Sequence, residues 1–192
     1  MIRYRKAKKN DILFLFRCHS EKAVAERASL IQENIYDVFY KDYISIMNND
    51  SFHVYILEDN HDRVGFIKLH ETNKRSKEIE GSIWICKKRG QGYGLNAVYL
   101  LLYISFEKLK YRKIWGWVRE NNKPMHAMCK KLGIRVKETS MRPAWKKDVE
   151  NHLEKIFYYE ISLEEYILKK DFIMQDSLRN IQNNNKVVLV DE

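Results

Sequence analysis

Proline and glycine are scarce in this 192-residue sequence, two and seven respectively, which excludes collagen-like and low-complexity architectures. No apolar run reaches the length of a membrane span, and the basic start, with Arg3, Arg5, Lys6, Lys8 and Lys9, leads into no signal-peptide core. Met1 therefore reads as the start of a mature protein that does not enter a membrane. Cysteine is sparse as well: Cys18, Cys86 and Cys129 are odd in number, far apart and without CxxC spacing. That pattern argues against a zinc site and against a disulfide framework, and it fits a reducing cytoplasm.

Positive charge, in contrast, is abundant. A formal net charge of +9 calls for an anionic partner: nucleic acid, a membrane surface or a phosphorylated cofactor. Lys and Arg are scattered rather than gathered into one block, so charge alone does not choose among these, and a solvated face with no partner explains it equally well.

The length suits one domain with a proper core. Ile2–Ala7 alternates like a strand, Asn10-Asp11 caps a helix through Leu13, Phe14 and Phe16, and Ile31–Met47 carries apolar residues at helical spacing. Phe52–Leu57 and Val64–Leu69, joined by the turn residues Asp59-Asn60-His61-Asp62, predict a hairpin. A strand over Ile79–Cys86 runs into a loop, then a helix through Leu95, Val98, Leu101 and Leu109. Lys113–Val118 predicts a strand and Met125–Leu132 a short helix ended by Gly133. Two last strands, Ile134–Thr139 and Ile156–Ile161, flank a charged loop with Arg142, Pro143 and Trp145, and Leu163–Ile181 looks helical. This order predicts an α/β fold, a mixed sheet with helices packed on it.

Three of the seven glycines, Gly90, Gly92 and Gly94, fall within five residues between a predicted strand and a predicted helix, just after Arg89. Glycine lets main chain approach a ligand, successive N–H groups cradle phosphate oxygens, and the following helix adds its positive end. GxGxxG fails because residue 95 is leucine, and GxxxxGK[ST] fails because no lysine follows Gly94. What remains, Arg89-x-x-Gly92-x-Gly94, resembles the pyrophosphate signature of the GCN5-related N-acetyltransferase (GNAT) family.

Further stretches carry the same resemblance. Glu80-Gly81-Ser82-Ile83-Trp84-Ile85 is similar to the strand before this loop in the branch acting on ribosomal proteins, polyamines and small amines. Asn122 through Cys129, Lys131, Gly133 and Ile134 is similar to the family's second signature, and Lys155–Ile161 to its closing strand. Two departures stand out: Cys129 occupies the place of a tyrosine that protonates the departing coenzyme A sulfur, and Ile134 that of a phenylalanine.

The resemblance implies a mostly antiparallel sheet of about six to seven strands within residues 1–166, with a helix and tail extension over 167–192. It implies acetyl-CoA as co-substrate, its diphosphate held by Arg89, Gly90, Gln91, Gly92, Tyr93 and Gly94. Main chain of Trp84, Ile85 and Cys86, with Asn122, completes the expected cofactor site. Glu80 is the candidate base, through a water, and Cys129 stands as the second candidate catalytic residue. The acceptor is a primary amine, on a small molecule or a protein N-terminus. His126 reads as a packing or surface residue, and Trp84, Trp115 and Trp117 read as core by alternation. A nucleic-acid or ribosome-associated binding module and a non-catalytic acyl-CoA sensor are the alternatives. The apolar tail Val187–Val190 suggests a homodimer contact.

Overall fold

The computed structural model describes residues 2–20, 36–143 and 153–182. β1 (Ile2–Lys6) leads through a short 3-10 turn at Lys9–Asp11 into α1 (Ile12–Ser20), and α2 (Tyr36–Met47) follows. β2 (Phe52–Asp59), β3 (Asp62–Asn73) and β4 (Glu78–Ile85) form an antiparallel meander. Its first turn is the two residues Asn60 and His61, both with positive φ, the conformation that matches the twist of paired strands. The remaining elements are α3 (Tyr93–Tyr103), β5 (Lys113–Arg119), α4 (Lys123–Lys131), β6 (Val136–Pro143), β7 (Leu153–Ser162) and α5 (Leu163–Gln182).

The seven strands form one sheet in the order β1-β2-β3-β4-β5-β7-β6, mixed and mostly antiparallel as the resemblance implies. β4 and β5 are parallel neighbours, joined only from Glu78 to Glu80 and from Lys113 to Trp115. Helices cover both faces. α3 and α5 lie on one, where Val98, Leu101, Leu102, Tyr166 and Ile173 join the buried core. α1 and α2 lie on the other, burying Ile12, Leu15, Phe39 and Tyr43 against Ile56, Phe66 and Trp84. Each such side chain withdrawn from water contributes roughly 1.5–3 kcal/mol before chain entropy is subtracted. α3 is apolar nearly all round because it is sandwiched between the sheet and α5, and it ends in a wider π turn at Ile104–Lys108.

Three expectations change. Cys18 and Cys86 form a disulfide with Cα atoms 5.5 Å apart, so the reading of three unpaired cysteines does not hold. Residues 68 apart carry no local signature of pairing; packing of α1 on the end of β4 brings them together. Cysteine spacing therefore no longer argues for a reducing compartment. Arg142 and Pro143 belong not to a loop but to β6, paired with Glu154 and Leu153 of β7 at the sheet edge, where proline is tolerated. The second predicted helix, Ile31–Met47, is described from Tyr36 on, and its predicted start and the tail Val187–Val190 lie outside the described residues. No described helix is long and apolar enough to cross a membrane.

Candidate active site

The brief contact of β4 and β5 creates the site. Beyond Glu80 and Trp115 the strands share no further ladder, and a cavity of about 150 Å³ opens between them. At its apex Gly116 lies so close to Gly81 that an added Cβ would meet the Gly81 carbonyl at 2.8 Å, so the strands splay from two residues without side chains. The cavity passes through the sheet. Val98, Leu101, Leu102, Ile114, Asn122, Met125, Cys129 and Tyr159 line it on the α3 side, and Ser82, Trp84, Trp115, Trp117 and Glu160 on the other. Trp115 and Trp117, read as core, thus stand in the cleft wall.

The glycine loop follows β4 directly. Gly92 takes the left-handed conformation, with φ of 87°, and caps α3 as Leu95 N–H donates to its carbonyl over 3.1 Å. Among the described residues no backbone carbonyl accepts from the amides of Gly90 through Gly94, and free amides at a helix N-terminus suit an anion. A side chain that the sequence reading treated as a turn residue pins this loop. Asp59, 3% exposed at the end of β2, accepts from Lys88 Nζ over 2.8 Å and from the Tyr93 hydroxyl over 2.7 Å. Burial alone raises the Asp59 carboxyl, but its hydrogen bonds, led by that from Lys88 and joined by those from the N-terminal ammonium and Tyr93, outweigh burial and hold it far below the usual carboxylate range. Burial, with the bond to Asp59 second, pushes the Tyr93 phenol up to about 12. Arg89 turns back on the loop, its Nε donating to the Ile85 carbonyl over 2.8 Å.

Main chain along β4 divides the expected contacts. Cys86 N–H donates to Val64 over 2.8 Å, and its sulfur is bonded to Cys18, so neither group faces the cleft and the expected cofactor contact of Cys86 is withdrawn. Ladder alternation sends the Trp84 amide toward β3 in the same way, and turns those of Ile83 and Ile85 toward β5. Ile85 is therefore the residue of that trio whose amide reaches the open edge. Trp84 contributes its side chain instead. It stacks on Phe66 at 4.5 Å, and among the described residues its buried Nε1 has no partner.

Glu80 lies one residue before the splay, its carboxylate 4.0 Å from His70 Nδ1. Glu78 is engaged by Lys113 at 3.0 Å, which leaves Glu80 the freer of the two carboxylates. Lys68 shares this face; burial holds its ammonium below the ordinary lysine value and Glu80 offsets part of that.

Across the cleft, Asn122 caps α4, its Oδ1 accepting from Met125 N–H over 3.4 Å. One helical turn after Met125, Cys129 is 2% exposed, and burial pushes its thiol up to about 12. Such a thiol holds its proton too tightly to give it to a departing thiolate of ordinary acidity, near ~8.5. Two residues the sequence reading set aside or passed over meet beside it: the Tyr159 hydroxyl lies 2.6 Å from His126 Nδ1, and His126 Nε2 lies 2.9 Å from the Arg119 carbonyl. The available signal was slight. His126 and Cys129 are three apart on one helical face, and Tyr159 alternates with the buried Ile161.

Residues 2–135 match the family model described as an acetyltransferase (GNAT) domain. No curated protein matches the sequence. Among solved structures, the spermidine N-acetyltransferase of Vibrio cholerae in complex with CoA and spermine is 16% identical, with a TM-score of 0.78 over 86% of this chain and 98% of that one. A chimera of that Vibrio cholerae enzyme is 18% identical, with a TM-score of 0.75 over 86% of this chain and 98% of its own. An N-acetyltransferase from Staphylococcus aureus Mu50 is 17% identical, with a TM-score of 0.71 over 85% of this chain and 99% of its own.

Proposed function

The chain belongs to the acetyltransferase (GNAT) family and is an acetyl-CoA-dependent N-acetyltransferase; on that premise we propose that it acetylates a primary aliphatic amine entering from the α1–α2 face. One observation carries this reading: a single cleft through the sheet joins Asn122, Cys129 and Tyr159 on the α3 side, the side of the helix that the glycine loop opens, to Ser82, Trp115, Trp117 and Glu160 on the other. The diphosphate of acetyl-CoA rests on the amides of Gly90, Gln91, Gly92, Tyr93 and Gly94 with Arg89 beside them, and Asn122 helps close the far wall. The Ile85 amide faces the thioester oxygen, where negative charge develops during attack.

An alkylammonium is met by Glu160 and by the faces of Trp115 and Trp117, groups that suit a cation on a hydrocarbon chain. Glu80, through a water, takes the proton that the ammonium must lose before its nitrogen attacks the thioester carbon. The likeness in fold to solved spermidine N-acetyltransferases supports trying aliphatic polyamines first in the acceptor panel.

The test has two stages. Calorimetry compares acetyl-CoA binding by the wild type and by a Gly92→Asp, Gly94→Asp double variant whose folding is checked by thermal melting. Micromolar binding lost in the folded variant is the expected result. Free-thiol release is then followed with spermidine, an amino sugar and a short peptide with a free N-terminus. Turnover fastest with the aliphatic amine supports the proposal; binding without turnover on any amine points to an acyl-CoA sensor.

A further inference from the structure

We infer that Tyr159 and His126 form a proton relay that does the work of the family tyrosine replaced by Cys129, a reading that rests on acetyl transfer in the β4–β5 cleft. Tyr159, on β7 opposite Gly116 of β5, lines the cavity together with Cys129, Met125 and Asn122. Its hydroxyl contacts His126 Nδ1 at 2.6 Å. The imidazole is fixed on two further sides, by the Arg119 carbonyl 2.9 Å from Nε2 and by the Phe157 ring, edge-on at 4.9 Å.

This arrangement assigns the tautomer. A carbonyl only accepts, so Nε2 carries the hydrogen; in the neutral ring Nδ1 is then the bare nitrogen, and the Tyr159 O–H donates to it. The phenol oxygen keeps its lone pairs for the cleft. Burial, with Cys129 adding to it, raises the Tyr159 phenol above its ordinary value, so the hydroxyl stays protonated between turnovers.

The proton count identifies the task. An alkylammonium loses two protons on becoming an amide: the first to Glu80 before attack, the second from the nitrogen of the tetrahedral adduct. In the relay the Tyr159 oxygen accepts that second proton while its own passes to His126 Nδ1, giving an imidazolium held by the Arg119 carbonyl. The C–S bond then breaks and its electron pair leaves on sulfur. Tyr159 protonates the thiolate, and the imidazolium returns its proton to the phenol. No proton is gained or lost by the pair, and CoA departs as the thiol. Tyr159 is the catalytic residue; His126 acts through it as a positioning residue that also holds the proton.

The test uses the full chain and the best amine of the panel. Tyr159→Phe keeps the ring and removes the hydroxyl, and a fall in kcat on the order of 10²-fold, with the acetyl-CoA Kd within about twofold, is expected. His126→Gln retains an amide that donates to Arg119 and accepts from Tyr159 but takes up no proton, and a kcat loss of at least ~10-fold at unchanged Kd is expected. Wild-type kcat in either variant overturns the relay. Independently of any variant, nitrogen NMR of the wild type must find the Nε2-protonated tautomer of His126, and the Nδ1-protonated form overturns the proposal. A wild type that binds no acetyl-CoA and releases no CoA with any amine fails at the underlying reading, and the relay falls with it.

Discussion

On the α3 side of the sheet the cleft is bounded mostly by aliphatic side chains, with the glycine loop at the start of α3, whereas on the α1–α2 side it is bounded by Ser82, indoles and Glu160. The two sides are also fastened differently. The glycine loop is pinned by Asp59 through two hydrogen bonds, and α1 is tied to the end of β4 by a disulfide. A cofactor common to a family is met by backbone, which any side-chain drift leaves intact. An acceptor particular to one enzyme is met by side chains, which drift freely. The contrast predicts that substitutions on one side alter cofactor binding and on the other alter acceptor turnover, with little crossover.

The largest effect is expected at the cross-link. Cys18→Ser opens a loop spanning 68 residues, and the chain-entropy account assigns such a loop about 4 kcal/mol of stability. Chemical denaturation, with and without reductant, measures it: reductant destabilises the wild type to the level of the variant and leaves the variant unmoved. Equal stability of all four samples shows that the pairing does not form in solution.

Next, Glu80→Gln lowers kcat for the amine by roughly 10²-fold while leaving acetyl-CoA affinity within twofold. A parallel loss of cofactor affinity breaks the division between the two sides. Asp59→Ala works from the other side, weakening acetyl-CoA binding by roughly tenfold, since Lys88 and Tyr93 lose their shared acceptor and the loop its pin. The same change alters acid stability. A carboxyl lowered in the fold contributes stability that is fully present above its unfolded value, about 3.9, and is lost as pH falls from there toward the folded value. The variant therefore unfolds with a shallower dependence on pH below ~4 than the wild type, measured by denaturant titration at a series of acid pH values.

The smallest effect is expected at Cys129. Cys129→Ser leaves kcat within about twofold, because a buried thiol pushed up to about 12 takes no part in proton transfer. A loss of kcat comparable to that of Tyr159→Phe returns the donor role to the thiol and reopens the relay.

Much of this was legible from residue order. The Gly90–Gly94 cluster between a strand and a helix marks a candidate anion cradle because backbone geometry there is local: positive φ at Gly90 and Gly92 and a helix N-terminus arise within six residues. The hairpin at Asn60-His61 was readable for the same reason. Trp115 and Trp117 mislead because alternation reports only that a residue faces one side of a sheet, and cannot tell core from the wall of a gap between strands.

The sequence by itself determined the order of elements, the glycine loop and the carboxylate before the splay, since each depends on neighbours a few residues away. Only the tertiary structure decided what depends on distant partners. It brought Cys18 to Cys86, Asp59 to Lys88 and Tyr93, and Tyr159 to His126, pairs separated by 68, 29, 34 and 33 positions. Contacts at such separations are set by the packing of whole elements and leave no mark in local patterning, so the chemistry built on them emerges only once the sheet has assembled.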